Sequence, residues 1–200
     1  MAACSLASET KDRMIIFLTG ISCVGKTTVG TKLAVLLGCS FFDLDDEIES
    51  FFSTPIERLQ EKFLTMYSFR EEASKALKDI ISRESAQNSV IALPPSGLMG
   101  HYWRIVKKSN GTIIVLTDDA INILNRITFY DKDSNPININ LSEKDIIFHL
   151  KDINKDITYF NRTYKKADIS INISGLNSDQ ASIKVKEILD RHLQIRETPQ

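Results

Sequence analysis

The sequence predicts an α/β fold with a five-stranded, mostly parallel sheet flanked by helices. Short apolar runs alternate along the chain with segments whose apolar residues recur at helical spacing, and this alternation is typical of strand–helix–strand units. Hydrophobic residues make up 42% and charged residues 26% of the 200 residues, close to ordinary globular usage. We therefore expect one domain over residues 14–193, between tails at 1–13 and 194–200.

The first part of the chain alternates two predicted strands with two helices. Met14–Thr19 is a continuous apolar run and suits a strand buried on both faces. Apolar residues recur at helical spacing over 26–37, and Gly38 follows as a C-cap. A short second strand at 40–43 precedes a helix at 45–52, whose acidic first turn suits the helix dipole.

Prolines and a capping pattern divide the middle of the chain. Thr54-Pro55 predicts a new helix with proline in its first turn. Ser68-Phe69-Arg70-Glu71 has the form of a capping box, so we expect a helix from Ser68 to about Arg83. Asn88–Leu93 predicts a third strand, which the turn residues Pro94-Pro95-Ser96-Gly97 bring to an end.

The second half predicts two more strands, a lid and further helices. Gly111–Thr117 is rich in β-branched residues, as strands commonly are. The polar stretch 129–142 contains Asp, Asn, Ser and one proline, and we expect it to form a mobile lid. The remaining predicted elements are helices at 98–108, 118–128, 142–163 and 178–192 and a fifth strand at 168–173.

A phosphate-binding loop follows the first strand. Gly20-x4-Gly25-Lys26-Thr27 matches the pattern G-x-x-x-x-G-K-[ST] between a predicted strand and a predicted helix. Glycines let backbone N–H groups approach phosphate oxygens, and a helix N-terminus favours negative charge. We expect Lys26 to reach the β- and γ-phosphates of ATP and Thr27 to ligate Mg²⁺. The pattern thus predicts a three-layer P-loop NTPase fold. The loop residues expected to contact the nucleotide are Gly20, Ser22, Cys23, Val24, Gly25, Lys26, Thr27 and Thr28.

Two carboxylates, Asp43 and Asp45, follow the second predicted strand. In an open α/β sheet the ends of the strands flank the ligand crevice. One carboxylate could therefore hold Mg²⁺, and the other could accept a proton from a substrate hydroxyl. The alternative is that Asp45 only caps the N-terminus of the next helix.

Further motifs accompany the phosphate loop over most of the chain. They are Thr28-Val29-Gly30-x2-Leu33-Ala34, Phe42-Asp43-Leu44-Asp45 with Glu47-Ile48-Glu49, Phe69-Arg70-Glu71-Glu72, Arg126, and Tyr164-Lys165-Lys166-Ala167-Asp168. With these motifs, the chain resembles the shikimate kinase family, small P-loop kinases with the fold of the nucleoside monophosphate kinases. The likeness runs from about Met14 to about His192. The combination of the Asp-x-Asp and Phe-Arg motifs is more specific for this family than the phosphate loop alone.

The resemblance implies a role for each matching residue. Asp43 would serve the magnesium site, and Asp45 would bind the substrate hydroxyls and orient or deprotonate the attacking one. Arg70 would pair with the substrate carboxylate, a task that suits its guanidinium fork, and Arg126 would pack against adenine. Lys26 and Asp45 are thus the expected catalytic residues. From its neighbours alone, Arg70 fits an exposed helix charge equally well.

Three segments depart from the family pattern. The family has three consecutive glycines where this chain has Pro94-Pro95-Ser96. Because proline has no N–H, Ser96 and Gly97 are left as the expected substrate-binding residues here. The family lid carries Arg-Pro-Leu-Leu, whereas Asn135-Pro136-Ile137-Asn138 has no arginine, which leaves Lys132 to approach the phosphates.

The third departure concerns an arginine that the family places a few residues before the tyrosine of the last motif. Arg162 lies closer to Tyr164 than this pattern requires. Either Arg162, after a slip of one residue, or Lys155 is left to approach a substrate anion.

Composition and charge exclude several other classes. The 25 Lys and Arg against 26 Asp and Glu give a net charge of -1, so no basic field indicates a nucleic acid or an anionic membrane as partner. The three cysteines lack metal-ligand spacing and fit a reducing compartment. We expect a cytoplasmic monomer, with a small-molecule hydroxy acid as its substrate and no membrane association.

Three functions remain open from the sequence. The first is an alcohol-group phosphotransferase that uses ATP to phosphorylate a small hydroxy acid, with shikimate as the leading acceptor. The second is a P-loop kinase for another polyol, sugar acid or nucleotide, which the Pro94-Pro95-Ser96 substitution favours. The third is a nucleotide-binding regulatory protein with little catalysis, which the lid without its arginine favours.

Overall fold

A five-stranded parallel sheet forms the centre of the fold. The computed structural model describes residues 13–131 and 135–197. The strands of the main sheet are β1 (Met14–Thr19), β2 (Ser40–Asp43), β3 (Asn88–Ala92), β4 (Thr112–Thr117) and β7 (Ile169–Asn172), and they lie in the order β2-β3-β1-β4-β7. All five were predicted from the sequence, within one residue at each end, and the parallel sheet is confirmed.

Helices connect and flank the strands. They are α1 (Lys26–Leu37), α2 (Leu44–Phe52), α3 (Ile56–Glu61), α4 (Met66–Ser82), α5 (Gly100–Lys108), α6 (Ala120–Leu124), α7 (Glu143–Tyr164) and α8 (Ser178–Glu197), with a 3₁₀ turn at Glu84–Ala86. Helix α1 packs against α8, while α4 packs against α5 and α2. Ile16, Phe17 and Leu18 of β1 are fully buried between these layers, as the apolar run predicted.

Helix α4 begins two residues before its predicted start, so the capping box at Ser68 is wrong. Thr65 is the N-cap, with extended backbone angles, and its hydroxyl accepts a hydrogen bond from the Ser68 amide at 3.1 Å. Thr65-x-x-Ser68 has no Glu or Gln at its last position, so the capping-box pattern did not identify this start. By contrast, Ser142 and Asp145 form the reciprocal capping box of α7.

Three further helices differ from their predicted ranges. Helix α5 begins at Gly100 instead of 98, and α6 covers Ala120–Leu124 instead of 118–128. Helix α8 continues to Glu197, so part of the segment expected as a tail is helical. The segment expected as a lid contains a small antiparallel hairpin of β5 (Phe129–Tyr130) and β6 (Pro136–Ile137). Lys132 and the tail residues 1–12 lie outside the described residues.

Candidate active site

The register of the parallel sheet brings four loops to one edge. Ala92 of β3 is paired with Leu18 of β1 on one side and with Asp43 of β2 on the other, while Leu18 is also paired with Ile114 of β4. The strands therefore end at nearly the same level. The phosphate loop, Asp43, the turn at 94–97 and Asp118 all follow at this carboxyl edge, where ligands bind in open α/β sheets.

The backbone of the phosphate loop requires glycine at two positions. Gly20 has φ 149°, and an added Cβ would lie 2.6 Å from the carbonyl oxygen of Leu116. Gly25 has φ 105° and immediately precedes α1, so its conformation directs the loop into the helix. Between them Val24 is buried, whereas the Ser22 and Cys23 side chains are exposed. The glycine spacing read from the sequence thus has a steric cause.

Lys26 is the first residue of α1, and its side chain folds back into the phosphate loop that precedes the helix. Its Nζ donates hydrogen bonds to the carbonyl oxygens of Gly20 at 3.1 Å and of Ile21 at 2.9 Å. Burial lowers the pKa of the Lys26 ammonium, against the opposing influence of the Asp45 and Asp43 carboxylates. The structure thus holds this cation within the phosphate loop, close to both carboxylates.

Asp43 links the phosphate loop to the second strand. Its Oδ2 accepts a hydrogen bond from the Thr27 hydroxyl at 2.6 Å, and its Oδ1 accepts one from the Asp45 amide at 3.1 Å. Asp43 is therefore the N-cap of α2, and the alternative that Asp45 caps this helix is wrong. The Asp45 side chain is left free for another role.

The Thr27 and Asp43 oxygens form the pair that the sequence suggested for Mg²⁺. Two hard oxygen donors fit this ion, which keeps several waters and is usually held by one or two protein groups together with substrate phosphates. Among the residues that the structure describes, no group of three or more His, Cys, Asp or Glu side chains could hold a metal. A protein cage for a metal is thus absent from this part of the chain, and the oxygen pair is compatible with a metal shared with a nucleotide.

Asp45 has an unusual electrostatic environment. Burial, and next the neighbouring Asp43 carboxylate, raise the pKa of Asp45 to about 6, although the Lys26 ammonium opposes the shift. The side chain remains accessible to solvent, because it borders an open cleft. A carboxyl group that titrates near neutral pH beside a phosphate loop is suited to accept a proton.

Asp45 belongs to a cleft of about 1100 Å³ between α4 and α7, here called the α4–α7 cleft. Arg70 of α4 lines it as well, and the chain segment after β3 forms its floor with Pro94, Pro95 and Ser96. Phe69, Met99 and Tyr102 add apolar surface. The polar and charged side chains of the lining are Ser22, Asp45, Gln60, Arg70, Ser96 and Asp156.

Arg70 is held in place without a carboxylate partner. Its Nε donates to the Met66 carbonyl at 2.9 Å, and its Nη1 lies 3.8 Å from the Met99 sulfur. Within residues 13–131 and 135–197 no ion pair involves this guanidinium. Its positive charge is therefore available to an anion in the cleft.

Gly97, which was expected beside the substrate, does not line the cleft. It is buried, its amide donates to the Pro94 carbonyl at 2.8 Å, and an added Cβ would lie 2.5 Å from that of Leu93. The Gly97 amide is thus used within the turn and is not available to a ligand in the cleft. Ser96 remains at the cleft surface.

Two side chains from the end of α7 and the residues after it hold this turn. The Tyr164 hydroxyl donates to the Pro95 carbonyl at 3.3 Å, and the Lys166 Nζ donates to the Leu98 carbonyl at 2.8 Å. Lys166 also stands 4.8 Å from the centroid of the Trp103 ring. The motif around Tyr164 thus supports the floor of the α4–α7 cleft.

Arg126 contacts the phosphate loop and does not line the α4–α7 cleft. Its Nη2 is 2.6 Å from Oδ2 of Asp118, a side chain with 0% exposure, and its Nη1 donates to the Val24 carbonyl at 3.4 Å. Burial raises the pKa of Asp118, but hydrogen bonds from Asn122 and Arg126 outweigh it and lower the pKa overall. With Val24, Thr28 and the start of α8, Arg126 borders a second cleft of about 540 Å³.

Sequence reasoning missed the contribution of α7 to the α4–α7 cleft. Asp156, Tyr159 and Phe160 line it, whereas the cations suggested for this region do not. Lys155 pairs with Asp152 at 2.7 Å. The i, i+4 spacing of Asp156, Phe160 and Tyr164 could have signalled a shared face, but the packing of α7 decides which face meets the cleft.

A phosphate loop at the edge of this sheet, next to a cleft that holds an acidic and a basic group, defines a small P-loop protein of the kinase fold. The family model described as shikimate kinase matches residues 22–191. This match covers more than half of the chain, and the chain belongs to the shikimate kinase family.

Individual relatives agree with this assignment. The shikimate kinase of Macrococcus caseolyticus is 32% identical over 178 residues, which cover 88% of this chain and 94% of the relative. That of Chlorobium phaeobacteroides is 31% identical over 117 residues, and the match spans only 60% of its length and 58% of this chain. The solved structure of shikimate kinase from Acinetobacter baumannii in complex with shikimate has a TM-score of 0.69 at 24% identity and covers 94% of this chain and 97% of its own. At that identity the likeness concerns the fold.

In the described part of the chain, no helix is both long and apolar enough to cross a bilayer.

Proposed function

We propose that this chain transfers the γ-phosphoryl group of ATP to a hydroxyl of a small hydroxy acid, with shikimate as the first acceptor to test. One observation carries the proposal. Asp43 is hydrogen bonded to Thr27 of the phosphate loop, while Asp45, two residues later, lines the cleft that contains Arg70. A nucleotide site and an acceptor site thus meet at a single turn of the chain.

The nucleotide would lie along the phosphate loop. The loop amides and the N-terminus of α1 favour phosphate oxygens, and the Lys26 ammonium would exchange its loop carbonyls for the β- and γ-phosphates. Arg126, which faces the second cleft, would support the adenine. The loop residues proposed to contact ATP are Gly20, Ser22, Cys23, Val24, Gly25, Lys26, Thr27 and Thr28.

Thr27 and Asp43 would hold Mg²⁺ together with the phosphates. When bound, the ion neutralises the charge that develops on the phosphoryl oxygens. Asp43 could ligate the ion and still cap α2, since Oδ1 accepts the hydrogen bond from the Asp45 amide while Oδ2 lies beside the Thr27 hydroxyl.

Asp45 and Arg70 would act on the acceptor. Arg70 would bind the acceptor carboxylate with its fork of N–H donors, and Ser96 would add a hydroxyl contact. Asp45 would take the proton of the acceptor hydroxyl as its oxygen bonds to the γ-phosphorus. The bond from that phosphorus to the bridging oxygen then breaks, which leaves ADP and a phosphate monoester.

A different acceptor is the second candidate. The floor of the cleft carries two prolines, and Gly97 directs its amide into the turn, so backbone donors are scarce where the acceptor would lie. This composition favours a polyol, sugar acid or nucleotide whose shape tolerates an apolar floor. The three cysteines support a reducing compartment such as the cytoplasm, and the net charge of -1 is compatible with a small-molecule substrate; we propose that the chain acts as a monomer.

The test is Mg-ATP turnover with a panel of acceptors that includes shikimate, measured as ADP release. Lys26→Ala should abolish the signal, because it removes the cation inside the loop. Lys75→Ala is the matched control, since Lys75 is exposed and pairs with Glu72 on α4, and it should leave the rate unchanged. Turnover that survives Lys26→Ala would refute the proposed site.

A further inference from the structure

The α4–α7 cleft contains two charges of opposite sign that stand on different walls. Arg70 belongs to α4 and Asp156 to α7. In the part of the chain that the structure describes, neither side chain forms an ion pair. A monoanionic hydroxy acid would satisfy Arg70 but would leave Asp156 unpaired and repelled.

Asp156 lines the cleft on the side formed by α7. It shares one face of α7 with Phe160 and Tyr164, at successive steps of four residues, and Phe160 stacks on Tyr164 with ring centroids 5.8 Å apart. The pKa of Tyr164 is raised first by burial and next by the Asp156 carboxylate. Since Tyr164 donates to the Pro95 carbonyl, the carboxylate lies close to the floor on which an acceptor would rest.

Two aromatic side chains of α7 line the cleft together with this carboxylate. Tyr159 is 63% exposed and lines the cleft beside Phe160. A carboxylate next to open aromatic rings is a suitable environment for an ammonium group, which gains a charge-assisted hydrogen bond and contact with a ring face.

We propose that the α4–α7 cleft accepts hydroxy acids that also carry an amino group, with Asp156 as the residue that binds the ammonium. Arg70 would bind the carboxylate and Asp45 would receive the hydroxyl proton, so each charged group of the cleft has one counterpart on the acceptor. This inference rests on the proposed phosphoryl transfer and names the acceptor class of the same site. The phosphoryl step itself is unchanged.

Two pairs of acceptors that differ only in the amino group test the proposal. They are homoserine with 4-hydroxybutanoate and serine with 3-hydroxypropanoate, with shikimate as the reference. ADP release gives kcat and KM, and calorimetry with Mg-ADP present gives binding without turnover. We expect the amino member of at least one pair to bind more tightly than its amino-free partner.

Asp156→Asn should remove this preference. A partly exposed ion pair of about 1 kcal/mol corresponds to about a fivefold rise in the KM or Kd of the amino acceptor. The KM for shikimate should fall or stay the same, because a repulsive charge is removed. Asp152→Asn is the matched control, since Asp152 lies one turn earlier on α7 outside the cleft lining and pairs with Lys155.

The outcomes separate this inference from the proposed function. If shikimate is phosphorylated but Asp156→Asn leaves the ratio within each pair unchanged, the inference is wrong while the kinase proposal stands. If no acceptor is phosphorylated but the binding preference exists and Asp156→Asn abolishes it, the inference is supported and the kinase proposal fails. Absence of any preference in binding overturns the inference in either case.

Discussion

The pH dependence of acceptor turnover gives a direct measure of the role of Asp45. Its pKa is raised to about 6, so this carboxyl group protonates at a higher pH than an ordinary aspartate. At pH 7 about nine-tenths of the molecules carry the ionised form, and at pH 5 about one-tenth do. If Asp45 is the general base, kcat/KM for the acceptor should fall about tenfold between these two values.

The assay is ADP release at saturating Mg-ATP and low acceptor between pH 5 and 8. Asp45→Asn should be slow, and its profile should lack the acid limb, apart from any titration of the nucleotide itself, which both proteins share. Asp46→Asn is the matched control, because Asp46 is the next residue along α2 but does not line the α4–α7 cleft. This variant should keep the acid limb, moved slightly to lower pH, because the Asp46 carboxylate contributes to the raised pKa of Asp45.

Carboxyl NMR of the nucleotide-free protein supplies a second measurement. The resonance that disappears in Asp45→Asn should titrate near pH 6. A midpoint near 4 would show that burial and Asp43 do not perturb this group, and an acid limb of full size in Asp45→Asn would assign the proton transfer elsewhere. Either result would refute the reasoning.

Three further predictions follow from the geometry of the site. Gly25→Ala should destabilise the fold by about 1–2 kcal/mol and abolish Mg-ATP binding in calorimetry, because φ 105° strains any side chain there. Gly38→Ala, at the left-handed C-cap of the same helix, should cost about 1 kcal/mol without affecting binding. Arg126→Ala should lower the free energy of unfolding by about 1–2 kcal/mol in denaturant titrations at pH 7, because buried Asp118 loses its cation. The pKa of Asp118 is lowered in the folded state. The difference in the free energy of unfolding between the wild type and Arg126→Ala should therefore shrink as the pH falls and the carboxylate is protonated. Arg70→Ala should raise the acceptor KM about tenfold, worth about 1.4 kcal/mol, and leave the KM for ATP unchanged; an unaltered acceptor KM would remove Arg70 from the acceptor site.

The strands and the phosphate loop could be predicted because their signals are local. Burial on both faces gives a continuous apolar run such as Met14–Thr19, and the loop backbone requires glycine at fixed positions. The start of α4 was predicted at the wrong residue, since the capping-box pattern pointed to Ser68 and only the folded chain shows that Thr65 is used.

The walls of the α4–α7 cleft depend on packing between distant segments, and the sequence predicted only some of them. Asp45 and Arg70 were found through their motifs, and the cleft contains both. Gly97 was expected there but faces Leu93, because the turn after two prolines rotates it inward. Asp156 carried no motif, and its place in the site depends on which face α7 turns toward the sheet.

The support that Tyr164 and Lys166 give to the turn after β3 has a consequence for protein engineering. Each side chain holds one backbone carbonyl of that turn, so the two segments, about 69 residues apart in sequence, behave as one module. Grafting a glycine-rich turn from a relative into this chain without its matching partner from the end of α7 would leave the new floor unsupported. Exchanging both segments together is the transplant that should preserve the fold while it alters which molecules the protein selects.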